Sequence, residues 1–329
     1  RGSRLPQARH TERTSPDTAH AFRRAGFDVI SFAGNHCMDW GPEGFFDTIE
    51  AVESAGLRIV GVGPTIAEAR RPVVVERRGR RIAFLAYSSI LPSGYWAEAA
   101  RPGCAPMRAF THYEQIEHDQ PGTPPRVHTF PHEGDLAALC DDVAAARQRA
   151  DLVLVSLHWG IHFVPAVIAD YQRTVGRAAI DAGADAILGH HAHILKGVET
   201  HHGRPIIHSL CNFAVDLHMD EAHANSPGFK EIQGLHPDWE PDFGSTYNFP
   251  ADSRRTVVAR VAMSPDGAVR TSLLPAHVDR SSVPEILSAT DPRFDEVRRY
   301  LVDITRAADL NGRYEVRGDE LVIAEVDPS

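Results

Sequence analysis

Three short segments of this chain place ligand-type side chains where an apolar run ends. The first, Phe27 to Gly41, reads as a buried strand running into Gly34, where a residue without a Cβ lets the chain turn tightly, followed by Asn35 and His36. Asn35 offers an amide oxygen and His36 an imidazole, a metal ligand beside an acid, with Asp39 in reach to orient that imidazole. The second, Leu152 to Gly160, delivers His158 at the end of another apolar run. The third ends in Gly189-His190-His191-Ala192-His193. In an extended chain residues two apart share a side, so His191 and His193 are expected to face one centre and His190 to turn away. Imidazole and amide oxygen together suit a borderline divalent ion such as Mn, Fe, Zn or Ni.

Singly these signals are weak, because one histidine at a strand end is more often structural than ligating. Jointly they are strong: open α/β sheets bind ligands beyond the carboxyl ends of their strands, and all three segments end there. Cys37 and Cys211 lie close to these motifs, yet a buried cysteine is usually an inert small hydrophobe, so covalent catalysis is disfavoured. Ser156 and Ser209 sit inside apolar runs without a Gly-x-Ser-x-Gly elbow.

Strand-like runs near 27–33, 58–62, 82–87, 152–158, 185–189 and 205–210, and a closing pair near 256–263 and 268–275, must position these groups. Helical patterns near 16–25, 43–55, 134–149, 167–182 and 293–308 alternate with them, which predicts an α/β core. Leu136, Leu139, Cys140, Val143 and Ala144 form one apolar stripe at helical spacing, as a helix laid on a sheet requires. Residues 88–133 and 214–254 show no periodicity and are too long for ordinary connections. Both are expected to be ordered substrate loops, with Tyr95 and Trp96 as pocket walls able to hold a partly apolar substrate and Phe110, His112 and Tyr113 beside them.

The 329 residues carry a formal charge of −10 and no basic stripe broken by aromatics, which argues against nucleic acid as a partner. Arg77 to Arg81, broken by Gly79, reads as a solvated hairpin turn. No segment approaches the roughly 18 apolar residues of a membrane span. Four scattered cysteines fit a reducing compartment, so a cytoplasmic location is expected, unless a signal segment precedes Arg1. No feature sets an oligomeric state.

Assembled, the motifs resemble the CapA-type proteins, the poly-gamma-glutamate synthesis branch of the calcineurin-like metallophosphoesterases. The resemblance runs from Gly26 to about Phe213 through Gly34-Asn35-His36 with Asp39 and Gly41, His158-Trp159-Gly160, Ile180 to Asp185, Gly189 to His193 and Ile207 to Phe213. It implies one domain over 1–329 with a sandwich of two β-sheets flanked by helices, loop insertions at 88–133 and 214–254, and one or two metals at one sheet edge. It further implies that Asn35, His158 and His191 bind one ion, that His193 contributes to another and that His36 acts as acid. His162 and Asn212 are then substrate-side candidates. The family's opening aspartate motif has no counterpart before Gly26, so it is expected upstream of Arg1; otherwise the site is mononuclear or rebuilt. Cys211 stands where relatives have glycine, and His162 where many look acidic.

The function expected first is metal-assisted hydrolysis, or acyl or phosphoryl transfer, on a small-molecule or polymer substrate. A lyase or cyclase in small-molecule biosynthesis is the alternative on the same fold. A non-catalytic partner of a capsule-polymer synthase is the third.

Overall fold

The computed structural model describes residues 2–6, 11–234 and 236–324. The chain begins with α1 (Asp17–Arg24), β1 (Val29–Ser31), α2 (Gly41–Ser54), β2 (Arg58–Val60), β3 (Val62–Gly63) and α3 (Ile66–Ala69). Next come β4 (Val73–Arg77), β5 (Arg80–Ser88), β6 (Gly103–Cys104), β7 (Ala109–Glu114) and β8 (Arg126–Pro131). The centre holds α4 (Glu133–Arg147), β9 (Leu152–His158), α5 (Asp170–Asp181), β10 (Ala186–His190), β11 (Val198–His201) and β12 (Arg204–Ile207). After α6 (Glu221–Ala224) and α7 (Pro227–Gln233), the chain closes with β13 (Arg255–Met263), β14 (Val269–Val278), β15 (Pro284–Ile286), α8 (Pro292–Ala307), β16 (Arg313–Arg317) and β17 (Glu320–Ala324).

A six-stranded sheet in the order β11-β12-β10-β9-β5-β4 forms the centre. Its inner strands β12, β10, β9 and β5 run parallel, with antiparallel β11 and β4 at the edges. Strand alternation on β9 sorts the layers. Val153, Val155 and Leu157 are fully buried and pack with Leu139 and Val143 of α4 and with Val175 and Ala179 of α5. Each such side chain contributes about 1.5–3 kcal/mol relative to exposure. Leu152 and Leu154, on the opposite face, pack with Val261 and Met263 of a second sheet, ordered β13-β14-β17-β16 with β15 on β14. Phe294, Val297, Leu301 and Ile304 of α8 share a core with Val257 and Leu273 of that second sheet. The result is the expected two-sheet sandwich flanked by helices, a mixed α/β fold.

The two aperiodic stretches are not plain loops. Within 88–133, β6 pairs with β3 and β7 with β8, partners that local periodicity cannot reveal because the first pairing spans some forty residues. Residues 214–254 contribute α6, α7 and a small core of Met219, Phe229 and Trp239 against Phe163 and Ile194. The Arg77–Arg81 hairpin forms as expected, between β4 and β5. No helix among the described residues is long and apolar enough to cross a membrane.

Candidate functional site

The parallel register of the central sheet brings the histidines together. His158 and His190 are direct partners at the ends of β9 and β10. Both therefore stand on the same face, their Nδ1 atoms 2.8 Å apart, and Ser156, two residues before His158, meets His190 Nε2 at 2.8 Å. This corrects the expectation that His190 turns away. Alternation would hold only if the chain stayed extended past His190, and it does not. His191 has φ 94 and His193 φ 57, left-handed values costly for residues with a Cβ and concentrated at functional sites. The bend carries His191 back, so that its Nδ1 lies 3.0 Å from His158 Nε2.

Asn35 completes this group. Its Oδ1 is 2.7 Å from His158 Nε2, and its Nδ2 is 3.1 Å from His36 Nε2, so one amide faces the imidazole pair with its oxygen and His36 with its nitrogen. The opposite nitrogen of His36 is 2.7 Å from Asp39 Oδ2. Asp39 is buried, and its carboxylate also accepts from the Glu12 amide at 2.8 Å and the Tyr95 hydroxyl at 3.0 Å. Gly34 lacks a left-handed φ, and a Cβ there would meet the His158 ring at an ordinary 3.5 Å, so the tight turn expected of it is not the reason it fits. Gly189 is the glycine that matters, since a Cβ would lie 2.3 Å from the His208 carbonyl oxygen and push β10 away from the chain after β12.

His193 stands apart from the pair. Its ring centroid is 6.2 Å from that of His191, and its Nδ1 is 2.7 Å from Asn212 Oδ1. Asn212 in turn donates to the Tyr247 hydroxyl at 3.1 Å. His162 lies between the two groups, 3.9 Å from His191 and 5.5 Å from His193 by ring centroids. Phe163 and Phe249 stack on His193 at 5.6 and 5.2 Å, and Trp239 packs on Phe163 at 5.0 Å. Cys211 takes φ 67, the backbone a glycine would adopt, with Sγ 3.3 Å from the His193 carbonyl.

Burial, reinforced by neighbouring imidazoles, holds His158 and His191 well below the ordinary histidine range, and burial brings His190 down to about 4. Burial also lowers His193, opposed by its bond to Asn212. These rings are neutral near pH 7, the state in which an imidazole offers a lone pair to a metal. Burial pushes the Cys211 thiol up to about 12, and a hydrogen bond with Cys104 together with burial raises Cys37, so neither supplies a thiolate.

Tyr95 and Trp96 do not line this group. Tyr95 is fully buried among Cys37, Met38, Phe45 and Cys104 and braces Asp39, which corrects its reading as a pocket wall. Trp96 is half-buried beside Arg101 and Arg108 and borders a cavity of about 240 Å³ whose lining, including Arg70 and Asp135, contains none of the site histidines. His190, Tyr247, Phe163, Phe249 and Trp239 were not singled out from sequence as site residues. Only His190 carried a local signal, since both neighbouring strands end in histidine.

Two imidazole nitrogens and an amide oxygen are donor types that a divalent ion takes; ligands at about 2.0–2.1 Å around a tetrahedral ion lie roughly 3.3 Å from one another, and the Asn35, His158 and His191 atoms stand somewhat closer, at hydrogen-bond distances of 2.7 and 3.0 Å. Elsewhere, Asp181, His201 and His202 bring three ligand atoms within 4.8 Å of one another.

Fold and site together define an α/β protein with a histidine-rich centre at the carboxyl edge of its main parallel sheet. The chain belongs to the family of the bacterial capsule synthesis protein PGA_cap, whose profile matches residues 2–217. It is 29% identical over 204 residues to the PGA biosynthesis protein CapA of Bacillus subtilis, covering 62% of this chain and 46% of that one. It is 31% identical over 200 residues to the capsule biosynthesis protein CapA of Bacillus anthracis, covering 61% and 43%. A probable polyglutamine synthesis accessory protein of Mycobacterium tuberculosis matches at 31% over 212 residues, 62% of this chain and 49% of that one. The chain thus spans about half the length of these curated relatives. A solved structure of a hypothetical protein from Thermus thermophilus covers 80% of this chain and 75% of that one at 15% identity and a TM-score of 0.35, a likeness too loose to bear on the site.

Proposed function

We propose that this chain is a metal-dependent hydrolase or transferase acting on an acyl or phosphoryl bond. Asn35, His158 and His191 would hold a divalent ion drawn from Mn, Fe, Zn or Ni, and His193 with Asn212 would border a second position. The observation that carries this reading is the meeting of one amide oxygen and two neutral imidazole nitrogens at 2.7 and 3.0 Å on a buried strand edge. When bound, such an ion supplies Lewis acidity, polarising the electrophile and easing deprotonation of the attacking water.

The rest falls to the chain's own residues. Asp39 holds His36 Nδ1, which leaves Nε2 as the working nitrogen. The Asn35 amide nitrogen donates to Nε2, so the neutral ring accepts there; as acid, His36 gives up that bond and carries its proton on Nε2 beside the ligand group. Phe163, Phe249 and Trp239 exclude water on the His193 side.

The test is metal content after purification, followed by hydrolysis of an aryl phosphate and an aryl ester with each ion restored. Protein that retains no ion, and none on reconstitution, would sink this reading. Two other readings have support of their own. Protein that keeps its ion but turns over neither substrate would favour the lyase or cyclase alternative, which the aromatic wall suits. The accessory role in the mycobacterial relative's name is favoured by the neutral donor set: the Asp39 carboxylate beside His36 is taken up by His36, Tyr95 and the Glu12 amide. It predicts no turnover and no need of an intact ligand set.

A further inference from the structure

A second group of ligand-type side chains lies outside the candidate centre, where the β11–β12 hairpin meets the end of α5. His201 closes β11, His202 and Gly203 form the two-residue loop, and Asp181 is the last residue of α5. Both imidazoles turn the same nitrogen to one oxygen: His201 Nε2 and His202 Nε2 lie 2.8 and 3.3 Å from Asp181 Oδ1, and the rings are 4.2 Å apart by centroid.

The loop has φ 48 at His202 and φ 70 at Gly203, the two positive values of a type I′ turn, a backbone that histidine tolerates and that sets the two rings side by side. One feature of this corner is unfavourable unless a cation sits there. Helix α5 ends in a carboxylate and has no basic residue in its last turn, although the carbonyl end of a helix favours positive charge. The neighbouring arginines do not offset it, since Arg204 pairs with Asp185 and Arg177 with Glu199. A divalent ion would answer it, drawing the two imidazoles and the carboxylate onto one point and placing positive charge at the helix end.

We infer that Asp181, His201 and His202 bind a divalent transition-metal ion of the Zn, Co, Ni or Cu type, pinning the β11–β12 hairpin to the carboxyl end of α5. Two nitrogens and one carboxylate oxygen favour these ions over Mg or Ca, which demand mostly oxygen. Two of the three groups are open to solvent, so the ion exchanges freely and completes its shell with water. The site is independent of the proposed catalytic ion and of any turnover.

The experiment uses the whole chain, stripped with chelator and titrated with Co(II) and Zn(II). Bound equivalents are counted by calorimetry, and the melting temperature is followed as Zn(II) is added. His202→Asn is the main variant, because asparagine suits the turn and removes the ligand without disturbing the loop; Asp181→Asn is the second, and His158→Ala is the control. Each of the first two should lose one equivalent and the matching part of the Zn(II)-induced rise in melting temperature, and should do so equally in a His158→Ala background, where the proposed central ion is absent. The outcome is readable even if the central histidines bind no metal, since the wild type then takes one equivalent and His202→Asn none. Unchanged stoichiometry and unchanged thermal response in both His202→Asn and Asp181→Asn overturn the inference.

Discussion

The two sides of the candidate site were built differently. The Asn35, His158 and His191 side lies at the ends of parallel strands within the family-matched span 2–217. The His193 side is closed by Tyr247, Phe249 and Trp239, which lie beyond that span on the stretch that holds the short helices α6 and α7. A sheet edge holds its side chains through ladder register, which packing on both faces makes stiff. The aromatic wall is held by ring stacking and by the Asn212–Tyr247 bond, which adjusts more easily. On the proposed function, the sheet edge would hold the chemistry and the wall would choose the substrate.

The strongest test of that division is to break the sheet edge. His158→Ala and His191→Ala should each lose the bound ion and all metal-dependent turnover, as measured by metal analysis and assay, whereas Phe249→Leu should keep the ion and shift KM. If Phe249→Leu emptied the site, the division between chemistry and wall would fail. Next in size is His36→Asn, which should retain the ion and lower turnover by about 10²- to 10⁴-fold, the usual worth of a general acid. Loss of the ion in this variant would make His36 a ligand.

Tyr95 separates support from contact. Tyr95→Ala opens a cavity in a closed core and should cost about 3–5 kcal/mol in denaturant unfolding, by analogy with other aromatic truncations. Tyr95→Phe removes only the bond to Asp39 and should cost about 1–3 kcal/mol, with KM unchanged. A raised KM without loss of stability would return Tyr95 to the pocket wall. The remaining effect expected is on pH. His190 is fully buried with its pKa brought from 6.5 to about 4, so the unfolded chain binds the extra proton between those values. Stability of the metal-free protein is therefore fully present above about pH 6.5 and falls as pH drops toward 4, by about 3 kcal/mol. In His190→Gln that acid-limb slope should flatten; an identical slope would place the titration elsewhere.

Sequence alone was enough to find the five longer helices, the inner strands of the central sheet and the β13–β14 pair, because Val153, Val155 and Leu157 and the Leu139–Val143 stripe declare which face is buried through periods of 2 and 3.6; the short helices α3, α6 and α7 and the strands β11, β15, β16 and β17 carry no such pattern. It was also enough to place Asn35, His36, His158, His191 and His193 at chain positions where apolar runs end. It could not decide how those side chains face one another. The pairing of His158 with His190 depends on the register between two strands, and the return of His191 depends on a left-handed φ of 94 that no periodicity encodes. Tyr95 reads as a loop aromatic because the carboxylate it braces, Asp39, lies 56 residues away along the chain. Local pattern reports which residues must be buried or turned; distance between side chains from different strands is settled only when the sheets close on one another.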